Sequence, residues 1–205
     1  MVRKLRHLTL THWLLFSVFS FHSNAIELDG YHILNFKDNY GNVDLRNKPY
    51  TSLPDPFIVK GNLNVGKTGI KELPLELTIE GNLEASNSWI EVIHTGSSIK
   101  GYANFLGAKI KIWPPQVKVG GFINLTDTPL KALPPNFIVE GDLSVMRTPL
   151  ETLPNGLVVK GDLYIGGSSL QHFPELMTVK GNIFLGGNRI QTWPKKLNLG
   201  GVVIR

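Results

Sequence analysis

Residues 61–68 read Gly61-Asn62-Leu63-Asn64-Val65-Gly66-Lys67-Thr68, which matches the phosphate-binding loop pattern G-x-x-x-x-G-K-[ST] letter for letter. That chemistry needs a strand before the loop and a helix after it, so that backbone N–H groups and a helix N-terminus cradle phosphate. Pro74 follows closely and blocks such a helix. The windows Gly161–Ser168 and Gly181–Asn188 repeat the glycine spacing without the lysine, so the match is a by-product of a repeat. Beyond residue 25 the histidines are His32, His94 and His172. His94 and His172 share no column of the repeat, His32 precedes the repeats, and none has metal-ligand spacing or an acidic partner in register. Asp44 and Glu84 share a column but lie two repeats apart, roughly 10 Å by strand spacing. They lack the aromatic platform that would make them a glycosidase pair. The chain contains 0 cysteines, which removes disulfides, thiolate metal sites and thiol nucleophiles. No catalytic residue, metal site or cofactor is assigned from the sequence.

The binding candidates are aromatic. Tyr102 and Phe122 are successive members of one repeat column, and Tyr164 and Phe184 of another. Both columns alternate with apolar residues at strand spacing, so their side chains point away from the core. Exposed aromatic pairs on a sheet are contact anchors, or else they stabilise the sheet by stacking on one another. Asn124-Leu125-Thr126 fits a glycosylation sequon, which matters only in a eukaryotic secretory route.

The elements that position these side chains follow from a strict grid. Gly41, Gly61, Gly81, Gly101, Gly121, Gly141, Gly161, Gly181 and Gly201 recur every 20 residues with no insertion. Apolar columns keep the same register, as in Leu63, Leu83, Leu143 and Leu163, and in Val65, Leu125, Val145 and Ile165. Around each glycine the alternation has period two, exemplified by Val139, Gly141, Leu143 and Val145, and is read as one strand face. A recurrent proline, from Pro54 to Pro194 with His94 as the exception, excludes a helix from the second half of each unit. Each coil is therefore a short strand, a turn and an extended return limb. Stacking coils at roughly 4.8 Å merges the inward columns into one core. Thr68, Ser88, Thr128, Thr148, Ser168 and Asn188 form a polar column expected to satisfy turn backbone groups between coils. Trp113 and Trp193 fall in an apolar column and are expected in the core.

The unit G-x-L-x-L-x-x-T-x-L-x-x-L-P-x-x-L-x-V-x resembles a short leucine-rich repeat. It is most similar to the LPX-type repeats of secreted bacterial virulence proteins, and the resemblance covers residues 41–205. It implies a mainly β, right-handed solenoid with one parallel strand per coil and protein binding on the concave strand face. The chain departs from that pattern in two ways. It has one Leu-Pro per repeat rather than a doublet, and Gly where the motif begins with Leu, so a right-handed β-helix is the rival architecture. Some proteins of that type carry a ubiquitin-ligase domain with a catalytic cysteine. Neither the length nor a cysteine is present for that activity to be carried over.

Residues 1–25 differ from the rest. Arg3, Lys4 and Arg6 precede the apolar run Leu8–Phe21, and Ser23-Asn24-Ala25 follows with small residues. This is the pattern of a secretory signal peptide cleaved after Ala25, with a run too short to be a spanning helix. It implies a secreted or periplasmic protein without a stable membrane span after cleavage. The remaining chain has 18 Lys and Arg against 16 Asp and Glu, a formal charge of +2. That balance gives no reason to expect a nucleic-acid partner. Residues 26–40 are read as an N-terminal capping segment, and 41–205 as eight 20-residue repeats plus a partial ninth. The functional expectation is a non-enzymatic module that binds a protein partner, with Tyr102, Phe122, Tyr164 and Phe184 as candidate contacts. The alternative is a structural solenoid that self-associates through the C-terminal strand edge at Val202 and Ile204.

Overall fold

The computed structural model describes residues 26–205. The proposed signal segment and its cleavage site lie outside the described residues. The chain forms a parallel β-solenoid in which the one regular helix among the described residues is a short 3-10 turn at His32–Phe36. Strands Val43–Asp44, Leu63–Asn64, Leu83–Glu84 and their successors to Val203–Ile204 pair in parallel as one nine-stranded sheet, called here the front sheet. Every pair is offset by one repeat, as in Leu63 opposite Leu83 and Leu143 opposite Leu163. One strand per coil, stacked in sequence order, is the arrangement that the 20-residue grid predicts.

The return limbs carry more pairing than the sequence suggests. Phe57–Val59, Leu77–Ile79, Ser98–Ile99 and Lys118–Val119 form one four-stranded sheet. Ile138–Val139, Leu157–Val159, Leu176–Val179 and Lys196–Leu199 form a second. A third side is marked by isolated parallel bridges such as Glu72 with Val92 and Thr152 with His172. These regions enclose one apolar core, in which Leu63, Leu83, Leu143, Leu163, Ile110 and Leu130 are fully buried. Leu28 and Ile33 join that core beside the first coil.

The glycine grid marks a corner rather than the middle of a strand. Gly141 does not share the core face of Leu143 and Val145. A Cβ built on it would lie 2.8 Å from the backbone nitrogen of Phe122 in the preceding coil. At Gly161 a Cβ would lie 2.1 Å from Asp142 Oδ1 and 2.8 Å from the Asp142 nitrogen. Glycine recurs because successive corners nearly touch. The turn after each front strand imposes a second demand, a left-handed backbone, with φ of 56° at Lys67, 59° at Asp127, 52° at Arg147 and 70° at Gly167. Such values are unfavourable for residues with a Cβ.

Two side-chain expectations are corrected. The hydroxyls of Thr68, Thr128 and Thr148 do not bridge coils. Each donates at 2.7 Å to a carbonyl three residues back, on Val65, Leu125 and Val145. In this column only Asn188 reaches across, accepting from the Gly167 N–H at 2.9 Å and donating to the Ser168 carbonyl at 3.0 Å. Trp113 is buried, but Trp193 is 41% exposed and meets Phe173 edge-on at 5.2 Å. It sits in the last full coil, and among the described residues no further return limb packs over it.

Candidate functional site

The outward residues after the glycines form a hydrogen-bonded ladder. Asn42 Oδ1 accepts the N–H of Asn62 at 2.7 Å, and Asn62 Oδ1 accepts that of Asn82 at 2.8 Å. Asn82 Oδ1 accepts the N–H of Tyr102 at 3.0 Å. After a gap the ladder resumes with Asp142 to Asp162 at 2.7 Å, Asp162 to Asn182 at 2.6 Å and Asn182 to Val202 at 3.1 Å. Each side-chain oxygen occupies the space that a Cβ on the neighbouring glycine would need, so Asx and Gly depend on one another. Periodicity alone gives these residues no role beyond facing outward. The signal was present in the pairing of Asn or Asp with the invariant-register Gly.

The second outward column serves the turns. Asp44, Asn64, Asn104 and Asn124 each accept the N–H two residues ahead, at 3.0–3.2 Å. Glu84 does the same for Ser86 at 3.1 Å. Asn104 donates to Glu84 at 2.8 Å, and Asn124 Nδ2 donates to Asn104 at 3.0 Å. The sequon nitrogen of Asn124 is thus engaged in a ladder. Asp44 and Glu84, considered as a catalytic pair, are both turn caps.

All four aromatic candidates lie on this outer face, where the ladders are interrupted. Tyr102 and Phe122 stack face to face with ring centroids 4.5 Å apart and planes 8° off parallel. Tyr164 and Phe184 stack at 4.6 Å and 6°. Phe122 is 39% exposed, and the other three are half-buried. The two pairs are not separate features. Phe122 and Tyr164 face a common groove of about 300 Å³, lined also by Asn124, Thr126, Asp142, Ser144 and Met146. The coil between the pairs supplies Asp142, Ser144 and Met146, and the short side chains of Asp142 and Ser144 leave space between the two stacks. Tyr164 donates its hydroxyl to Asp162 at 3.2 Å. Burial, then the nearby carboxylates of Asp162 and Asp142, pushes its phenol above the ordinary range, so it remains a donor at neutral pH.

The remaining motifs resolve into structure. Residues 61–68 form a front strand and its turn, with Lys67 in the left-handed position and an extended limb where a phosphate loop needs a helix. His94 does have an acidic partner, Glu72 at 2.6 Å, which sequence register did not reveal because the two are 22 residues apart rather than 20. Ser97 replaces an apolar residue in that coil and donates to the His94 carbonyl at 2.8 Å, so the irregular coil keeps its register. Among the described residues, no three His, Cys, Asp or Glu side chains converge as metal ligands, and no helix is long and apolar enough to cross a membrane. No family model, curated protein or solved structure matches this chain.

Proposed function

We propose that this protein is a secreted, non-enzymatic binding module that docks a protein partner on the outer face of its front sheet. The observation that carries the reading is the pair of parallel aromatic stacks flanking one groove, with Phe122 and Tyr164 as its walls. Rigid aromatics set beside polar groups are the side chains that carry most binding energy at protein interfaces. The groove adds the Asp142 carboxylate beside the Tyr164 ring, whose hydroxyl is held in place by Asp162. Elsewhere on this face the amide and carboxylate oxygens are committed to ladders and turn caps, which leaves the aromatic break as the surface free to recognise something. Export rests on the signal-like pattern of residues 1–25.

The test is the double change Tyr164→Ala with Phe184→Ala. Capture of a partner from envelope or host-cell extracts is lost while the fold persists, since anchor aromatics are worth about 2 kcal/mol or more each in an interface. A loss of melting temperature with capture unchanged would reduce the stack to a packing device, worth about 1 kcal/mol. A change in oligomer size would make a second copy of the chain the partner.

A further inference from the structure

The return wall of the solenoid is split. Its strands form two four-stranded sheets rather than one of eight, and the break falls between Lys118–Val119 and Ile138–Val139. The backbone bonds show the same gap. Glu80 donates to Val59, Lys100 to Ile79 and Gly120 to Ile99, each at 2.9 Å, and Lys160 donates to Val139 at 3.0 Å. Among the described residues Glu140 makes no such bond to Val119. Lys118 donates to Ser97 and Val158 to Phe137, both at 2.9 Å, yet Ile138 makes no matching bond to Val117. By the direction shared by all the other coils, the N–H groups of Ile138 and Glu140 and the carbonyls of Val117 and Val119 face the gap.

The two coils that face each other across the break differ from their neighbours in local sequence. These two coils carry Pro114-Pro115 and Pro134-Pro135, and Pro115 and Pro135 have no N–H to donate. Gln116 and Asn136 then hold φ of 62° and 54°, a left-handed backbone that Gly96 and Gly156 adopt without strain in the flanking coils. A groove of about 670 Å³ results, within the range of ligand sites. Its apolar lining includes Val117, Phe137 and Ile138. The coils remain joined on their other sides, through Ala103–Asn104 with Ile123–Asn124 and through the Ile112 bridge to Ala132.

We propose that this rift takes an extended segment of a partner polypeptide, whose main chain completes the interrupted hydrogen bonding. The lips present alternating backbone donors and acceptors at strand spacing, the complement of another extended backbone rather than of a compact small molecule. Charge refines the partner. Lys100 is paired with Glu80, and Glu140 with Lys160, whereas Lys118 has no carboxylate partner among the described residues. The segment therefore carries an acidic residue opposite Lys118. This site lies on the return wall and is independent of the aromatic face.

The probe is a capped synthetic peptide of residues 154–161, a return-limb sequence of the chain itself, carrying Val158→Glu to meet Lys118 across the pair. Amide hydrogen exchange of the intact protein is followed by NMR. Without peptide, the amides of Ile138 and Glu140 exchange about tenfold or more faster than those of Val158 and Lys160. Saturating peptide slows both by about tenfold or more, and N-methylation of the peptide amide at Lys160 weakens binding about fivefold or more. Protection of Ile138 and Glu140 in the free protein would show that no rift exists. Binding without protection of those amides, or no binding at millimolar peptide, would equally overturn the proposal.

Discussion

At the scale of single residues, space and hydrogen-bond satisfaction decide what each position tolerates. Gly161→Ala would drive a Cβ to 2.1 Å from Asp142 Oδ1, whereas Gly30 has nothing within 4 Å of its Cβ position. Gly161→Ala should therefore cost about 2 kcal/mol, the scale of overpacking and a lost hydrogen bond, and Gly30→Ala almost nothing. Thermal melts of the two variants check this, and equal melting temperatures would contradict the corner geometry. The polar column offers a second contrast. Ser88 Oγ is buried without a partner, while Thr148 Oγ1 is buried and bonded to the Val145 carbonyl. Ser88→Ala should be neutral or stabilising, as Ala108 already is in the same column, and Thr148→Val should cost about 1 kcal/mol. Denaturant titration distinguishes them, and a larger loss for Ser88→Ala would mean that its hydroxyl has a partner after all.

At the scale of coils and sheets, the period was legible and the path of the chain only partly so. A 20-residue grid with inward apolar columns fixes one strand per coil and its register, because a slip of one residue would expose Leu143 and Leu163, both fully buried. Leu163→Asp should accordingly unfold the protein or drive it to aggregate, since an unpaired charge there costs about 3 kcal/mol or more. Native-like circular dichroism and melting in that variant would refute the register. The sheet formation of the return limbs was not legible, because their recurrent prolines read as extended chain without saying which limbs pair. The rift was hidden for the same reason, since Pro115 and Pro135 change one residue in each of two coils and the unmade bonds lie further along the limb, at Ile138 and Glu140. The aromatic pairs were legible as neighbours, yet their shared groove depends on the short Asp142 and Ser144 between them. Ion pairs also run from coil to coil. Lys60 lies 2.9 Å from Glu80, and Arg147 holds Asp127 through two bonds of 2.6 Å. The hydrogen bonds and charge of these partners lower the carboxyl pKa of Glu80 and Asp127 below 4.5 and 3.8. A lowered folded pKa means that the unfolded chain binds protons first. Their contribution is thus present above those values and lost as pH falls through the depressed ones. A melting temperature measured in low salt should fall with acid, and Asp127→Asn should shrink that fall. An unchanged acid profile in the variant would show the pair to be inert.

At the scale of the whole molecule, the solenoid has two interruptions in its ladders, the aromatic groove on the front sheet and the split in the return wall. Ladders of Asn, Asp and backbone consume the polar groups of the front sheet, and the stacked aromatics interrupt them at one groove. The central claim is that this groove, not the ladders, recognises a partner. It is tested most directly by changing its two walls, one from each stack. The variant Phe122→Ala with Tyr164→Ala should be compared with wild type in capture, melting temperature and sedimentation. Capture should drop about thirtyfold for each of the two anchors removed, about a thousandfold together. Melting should fall by only a few degrees, as stacking energies of about 1 kcal/mol allow. Undiminished capture by a folded double variant would contradict the account.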